Sequence, residues 1–152
     1  MLFPRGRQPQ AILRRAVYLI PVVLRHKWCM LLEAKRCRVP WRTALAHDSD
    51  KFRLDYLWLW IVCGEIEQAD RLHKHRTPHS WEYWANNDDT PTYRPMSEEA
   101  RHELLADWRA KQRAQGGRDY ARRVAVFYDA HRDSFGFHPS TRAWVEEQLK
   151  TF

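Results

Sequence analysis

His26, the adjacent pair His47 and Asp48, His73 and Asp107 are the side chains whose types and spacing point to chemistry. Imidazole nitrogens and carboxylates are the donors that hold Mn, Fe, Zn and related divalent ions. Their phase carries more than their number. His26 lies four residues after Val22, seven after Leu19 and four before Met30, so it shares the apolar stripe of its helix and not the face of Arg25 and Lys27. His73 stands four after Ala69, seven after Ile66 and eleven after Val62, at the end of another apolar stripe. Asp107 falls three after Leu104, seven after Ala100 and seven before Ala114, which turns a carboxylate toward a core where an unpaired charge is costly. His47 and Asp48 sit where a helix breaks, so two neighbouring side chains can converge on one point. A helical cage around a metal is the physical reading, with His79, just after Pro78, as a further ligand.

The elements that must position these groups read as helices. A 3.6-residue period runs over 10–36, through Leu19, Val22, Val23, Met30 and Ala34, with Pro21 marking an expected kink or break. Residues 1–9 read as a flexible N-terminal arm. Pro40 suits the first position of a short helix through Trp41, Ala44 and Leu45. A third helix is expected over 53–76, on a stripe of Leu54, Trp58, Ile61, Val62, Ile66, Ala69 and Leu72. Residues 77–95, rich in Pro, Asn and Asp, form a long loop of the kind that often carries function. Ser97 caps a helix with Glu98 and Glu99 in its first turn, and Gly116 and Gly117 stop it. Two more helices follow, over 118–133 and 140–150. The expectation is one all-α domain over 1–152 with five to six helices.

Composition bounds the partners. The 152 residues, 44% hydrophobic and 13% aromatic, suffice for one domain with a real core, and eight Trp against five Gly exclude a disordered or low-complexity chain. A net charge of +7 suits phosphate-bearing partners: nucleotides, nucleic acid or an anionic surface. Cys29, Cys37 and Cys63 lack CxxC spacing, so neither a disulfide framework nor a zinc knuckle is supported, and a reducing cytoplasm is the expected compartment. The apolar run from Ala16 to Leu24 contains Pro21 and is far short of the roughly 20 residues a bilayer span needs. Arg14 and Arg15 before it do not make an export signal, because no small-residue cleavage site follows. No membrane partner is expected.

The order His26, His47, Asp48, Asp107 resembles the HD-domain superfamily of metal-dependent phosphohydrolases, whose pattern is a His on one helix, a His-Asp doublet after the next and a distant Asp on a later helix. Two-metal branches add His residues in the interval that His73 with His79 or His75 occupies here. The resemblance also implies a role for Lys51, three residues after the doublet, in holding a substrate phosphate. Where two-metal members often carry two adjacent His, this chain has His79 followed by Ser80. A closer likeness, over most of 18–145, is to small bacterial and phage proteins forming a family of unknown function. It shares His26, Lys27, His47, Asp48, Lys51, Phe52, the segment from His79 to Trp84, and the pair Asp107 and Trp108.

The resemblance therefore implies an HD-like fold and a phosphohydrolase acting on a nucleotide or other small phosphoester. One or two divalent ions (Mn, Fe, Zn, Ni or Mg) would be held by His26, His47, Asp48, His73, His79 and Asp107, and Asp48 and Lys51 would serve catalysis. Lys51, His75 and Trp81 are the candidate substrate contacts. Trp81, with Tyr83 and Trp84, either stacks on a base or pins the loop to the core. Two alternatives stand beside this reading: a di-iron oxygenase built on the same cage, and a non-enzymatic nucleic-acid-binding module in which the His cluster is structural.

Overall fold

The computed structural model describes residues 8–86 and 92–151. Among these, seven α-helices account for most of the chain: α1 (Pro9–Ala34), α2 (Trp41–Ala46), α3 (Leu54–Leu57), α4 (Ile66–Arg76), α5 (Glu98–Ala114), α6 (Tyr120–His131) and α7 (Pro139–Leu149). The all-α expectation holds, and the only β feature among the described residues is an isolated bridge between Ala85 and Tyr93. No described helix is long and apolar enough to cross a membrane. Of the expected N-terminal arm, residues 1–7 lie outside the described residues, and Pro9 opens α1.

The centre of the fold is the pairing of α1 with α5. Ala106 and Ala110, one turn apart on α5, are fully buried against Met30 and Ala34 of α1. Small side chains at this spacing let two helices approach closely. The opposite side of α5 carries Leu104, Leu105 and Trp108 into the main core with Val124, Tyr128 and Val145 of α6 and α7. Ser97 caps α5 as expected, its Oγ accepting from the Ala100 N–H, and Gly116 and Gly117 end the segment with positive φ.

Four expectations are corrected. α1 runs unbroken through Pro21, which lies on the exposed side, where the carbonyl that loses its donor has water. Val22 is likewise exposed, and the buried stripe is Leu19, Val23, His26, Met30 and Glu33. The single helix expected over 53–76 is three elements: the short α3, a π-helical turn over Trp58–Cys63, and α4. Gly64, at φ 75°, closes the π turn, and the Glu65 N–H reaches back to the Leu59 carbonyl. Arg15 of α1 donates to the Ile61 and Val62 carbonyls, so the wider turn is held from outside. The break shifts the register, so Leu54, Trp58 and Ile66 face solvent while Tyr56, Trp60, Ala69 and His73 face inward. Pro40, expected inside α2, is its N-cap.

Candidate metal centre

Each inward-facing donor is delivered by a different piece of local structure. His26 is one of the buried residues of α1 and meets α5 where Ala106 and Ala110 bring the two helices together. His47 is the C-cap of α2, and Asp48 follows it in the left-handed region at φ 58°, a conformation Asp tolerates better than most residues. That reversal aims both side chains of the doublet at one point. Lys27 of α1 secures the turn by donating to the Leu45 carbonyl (2.9 Å), the His47 carbonyl and Ser49 Oγ. It thereby supplies donors to carbonyls that a helix end leaves without partners.

The four histidines converge through the same atom. His26 Nε2 lies 2.9 Å from Asp107 Oδ1, 3.2 Å from His47 Nε2 and 3.6 Å from Asp48 Oδ2. His47 Nε2 is 3.3 Å from Asp107 Oδ1 and 3.5 Å from Asp48 Oδ1. On the other side of Asp48 Oδ1 stand His73 Nε2 at 3.3 Å and His79 Nε2 at 3.8 Å. Neighbouring ligands of one ion with bonds of about 2.1 Å stand about 3 Å apart, the scale of these separations. All six residues are buried.

In three of the four rings the opposite nitrogen is held by a carboxylate. Glu103 Oε1 takes His47 Nδ1 at 2.9 Å and His79 Nδ1 at 3.2 Å, while Asp50 takes His73 Nδ1 at 2.9 Å. Burial alone would raise the Glu103 carboxyl, but its bonds to His47 and His79 bring it down to about 2. An ionised Glu103 only accepts, so the rings of His47 and His79 donate to it from Nδ1 and turn Nε2 toward the cluster, as the ring of His73 does with Nδ1 against Asp50. This is the arrangement by which carboxylates orient metal-binding histidines.

The two aspartates divide their oxygens in the same way. Asp48 Oδ2 accepts from Lys51 Nζ at 2.7 Å and Asp107 Oδ2 from Lys111 Nζ at 2.7 Å, while both Oδ1 atoms face the imidazoles. Asp48 Oδ1 is fully buried and receives no hydrogen bond. A buried carboxylate oxygen with no donor, ringed by imidazole nitrogens, is the observation that fits a cation. The electrostatics agree. Burial opposes charge on His47, yet Asp48, Asp107 and Glu103 raise it to about 9. Burial likewise opposes charge on Asp48 and Asp107, yet His47 and Lys51 around the first, and Lys111 and His26 around the second, hold both well below the ordinary aspartate range. Three overlapping groups of buried donors can hold a metal ion: His26, His47 and Asp107; His47, His79 and Glu103; and Asp48, His73 and His79.

A cavity of about 510 Å³ opens beside the cluster. His26, Asp48, Lys51 and Lys111 form its polar wall with Arg25, and Tyr18, Val22, Trp108 and Phe127 its apolar wall, with Gln112 and Gln115 at one side.

The sequence profile of a family of unknown function, DUF5662, matches residues 59–151, more than half the chain. The protein belongs to the DUF5662 family. No curated protein and no solved structure matches it. In this DUF5662 protein the matched span carries His73, His79, Glu103 and Asp107, while His26 and the His47-Asp48 doublet precede it.

Of the residues singled out from sequence, His26, His47, Asp48, His73, His79 and Asp107 come together, and Lys51 stands at their edge. Two do not join them. His75, on the last turn of α4, is exposed and lies outside both the cluster and the cavity wall, because two residues after the buried His73 a helix has turned to its other side. Trp81 packs against the main core and sets its ring edge-on to Tyr93 at 5.4 Å, so it pins the loop and does not line the cavity. His138 accepts from the Ser140 N–H as the cap of α7. Cys37 takes no part in the donor groups, and burial pushes its thiol up to about 11.

Glu103 and Lys111 are not among the residues singled out from sequence, although they lie four residues either side of Asp107 and therefore on its face of α5. Replacing Glu103 with Gln removes the charge that fixes two ring tautomers. It is expected to weaken metal affinity roughly 10- to 100-fold while leaving the fold intact, as read by competition with a chelating dye.

Proposed function

We propose that this protein is a metal-dependent phosphohydrolase acting on a nucleotide or another small phosphoester. The observation that carries the reading is the convergence of four Nε2 atoms and the inner oxygens of Asp48 and Asp107 beside a cavity with cationic and aromatic walls. The order of these donors also resembles the HD-domain superfamily. His26, His47, Asp48 and Asp107 would hold one divalent ion, and His73 and His79, sharing Asp48, a second; Mn, Fe, Zn, Ni and Mg are the candidates. When bound, such ions supply an activated water and positive charge for phosphoryl transfer.

The chain's own residues do the rest. Glu103 and Asp50 keep the imidazoles oriented. Lys51, bonded to Asp48 and bordering the cavity, places a fixed positive charge where a phosphoryl oxygen would lie, and Lys111 and Arg25 extend that charge along the same wall. Trp108 and Phe127 offer a base or other apolar group a surface out of water. Lys51→Ala is expected to lower kcat/KM roughly 10- to 100-fold with metal content retained, the loss of one charge-assisted contact.

The deciding experiment is metal analysis of the purified protein followed by assay of nucleoside monophosphates and bis(p-nitrophenyl) phosphate, with Mn added or chelated. Metal-dependent release of phosphate from the monophosphates, or of p-nitrophenol from the diester, supports the reading. Oxygen consumption by the iron-loaded protein with neither phosphate nor p-nitrophenol released would replace it with the oxygenase alternative. Salt-dependent nucleic-acid binding with no turnover would make it a binding module.

A further inference from the structure

α1 is apolar on two faces. Its inner face, with Leu19, Val23, His26 and Met30, is buried. On the opposite side Leu13, Val17, Ile20, Leu24, Trp28 and Leu32 recur every three or four residues and face solvent. Leu13, Val17, Leu24 and Trp28 are 64%, 66%, 54% and 62% exposed. A stripe of this length on the outside of a folded domain marks a surface that meets something.

The charge of the same segment says what. From Pro9 to Leu32 the helix carries Arg14, Arg15, Arg25 and Lys27 and no Asp or Glu, and in sequence Arg5 and Arg7 precede it, again without an acid. The first acid is Glu33, and it is buried. Arg14 and Arg25 stand exposed beside the stripe. Two copies of this face would bring cations together without a carboxylate between them. Nucleic acid would match the charge but leave six large apolar side chains in water.

We propose that the outer face of α1 is a docking surface for an anionic lipid membrane, with the helix lying along the interface and not across it. The combination of apolar stripe, interfacial Trp28 and flanking cations is what such helices use. It goes against the sequence-based expectation of no membrane partner, which rested on the lack of a span. The inference does not depend on the proposed hydrolase activity. It does give that cavity a location, since Tyr18, Val22 and Arg25 of the same helix line it.

The test is co-sedimentation of the full chain with phosphatidylcholine vesicles, with and without phosphatidylserine. Binding is expected only when phosphatidylserine is present, and it should fall steeply toward about 1 M salt, where charges are screened within about 3 Å. Val17→Glu with Leu24→Glu should reduce the bound fraction at least about tenfold, both residues being exposed and away from the cavity wall. Arg14→Gln, which leaves the apolar stripe untouched, should reduce it several-fold. Circular dichroism and metal content should match the parent chain. Failure to pellet with any vesicle, or equal pelleting without phosphatidylserine, overturns the proposal. So does a dimer in light scattering that the Val17→Glu, Leu24→Glu variant splits, which would assign the stripe to a second copy.

Discussion

Replacing Asp48 with Asn is expected to bring bound metal to background and to lower phosphoester turnover at least about 1,000-fold, the scale of several kcal/mol of lost charge stabilisation. Asp48 is the residue on which both halves of the donor set depend. Its Oδ1 faces His47, His73 and His79, and its Oδ2 lies toward His26 and accepts from Lys51. Asn is the informative substitution. It tolerates the left-handed backbone at φ 58° and keeps the side-chain shape, so the loss isolates the charge. Ala would give the same functional result but would add strain at the turn. Metal content is read by mass spectrometry and folding by circular dichroism. An Asp48→Asn protein that keeps its metal and full turnover contradicts the assignment of this residue.

The largest effect on stability is expected at Glu33. Its side chain is completely buried on α1 and accepts from Arg109 Nε (2.7 Å), Arg113 (2.5 Å), the Tyr120 hydroxyl (2.8 Å) and Arg36 (3.2 Å). Removing one partner of a buried pair costs about 3–5 kcal/mol, because the remaining charge stays out of water. Glu33→Gln leaves the buried Arg109 facing a neutral amide and is expected to lower Tm by on the order of 10 °C. The pH dependence has a definite sign. Burial opposes ionisation, but Arg109, Arg113 and Tyr120 outweigh it and hold the carboxyl below its ordinary value. Its contribution is therefore complete above the ordinary glutamate range and is lost as pH falls through the lower folded-state value. The gap in Tm between the parent chain and Glu33→Gln should narrow on acidification and stay constant at neutral pH. A gap that widens in acid would contradict this account.

The donor set was legible because helical phase is local. Once Leu19 and Met30 are buried on α1, and Ala100 and Leu104 on α5, the side chains between them at three- and four-residue steps face the same way, whatever their chemistry. That logic placed His26 and Asp107; for His73 it holds only through Ala69, since Ile66 is exposed and Val62 lies before the break. It also applies to Glu103 and Lys111, which a reading confined to His and Asp passed over. The break within 53–76 was not legible in the same way. Trp58 to Val62 is apolar at almost every position, so the period cannot show where a helix widens to a π turn. Leu54 and Ile66, core positions by that period, are exposed. Asp50 and Lys27 act through turn geometry and long-range carbonyl contacts, which no spacing rule conveys. The outer stripe of α1 was in the sequence too, but an apolar residue is ordinarily counted as core until coordinates show it facing out.

The most direct measurement is anomalous diffraction from crystals of the full chain grown with Mn. The account predicts an anomalous peak enclosed by His26 Nε2, His47 Nε2, Asp48 and Asp107 Oδ1, at bond lengths near those of oxygen and nitrogen ligands, with any second peak between Asp48, His73 and His79. Ordered, intact side chains at these positions with no peak among them, or with Mn bound elsewhere, would contradict it.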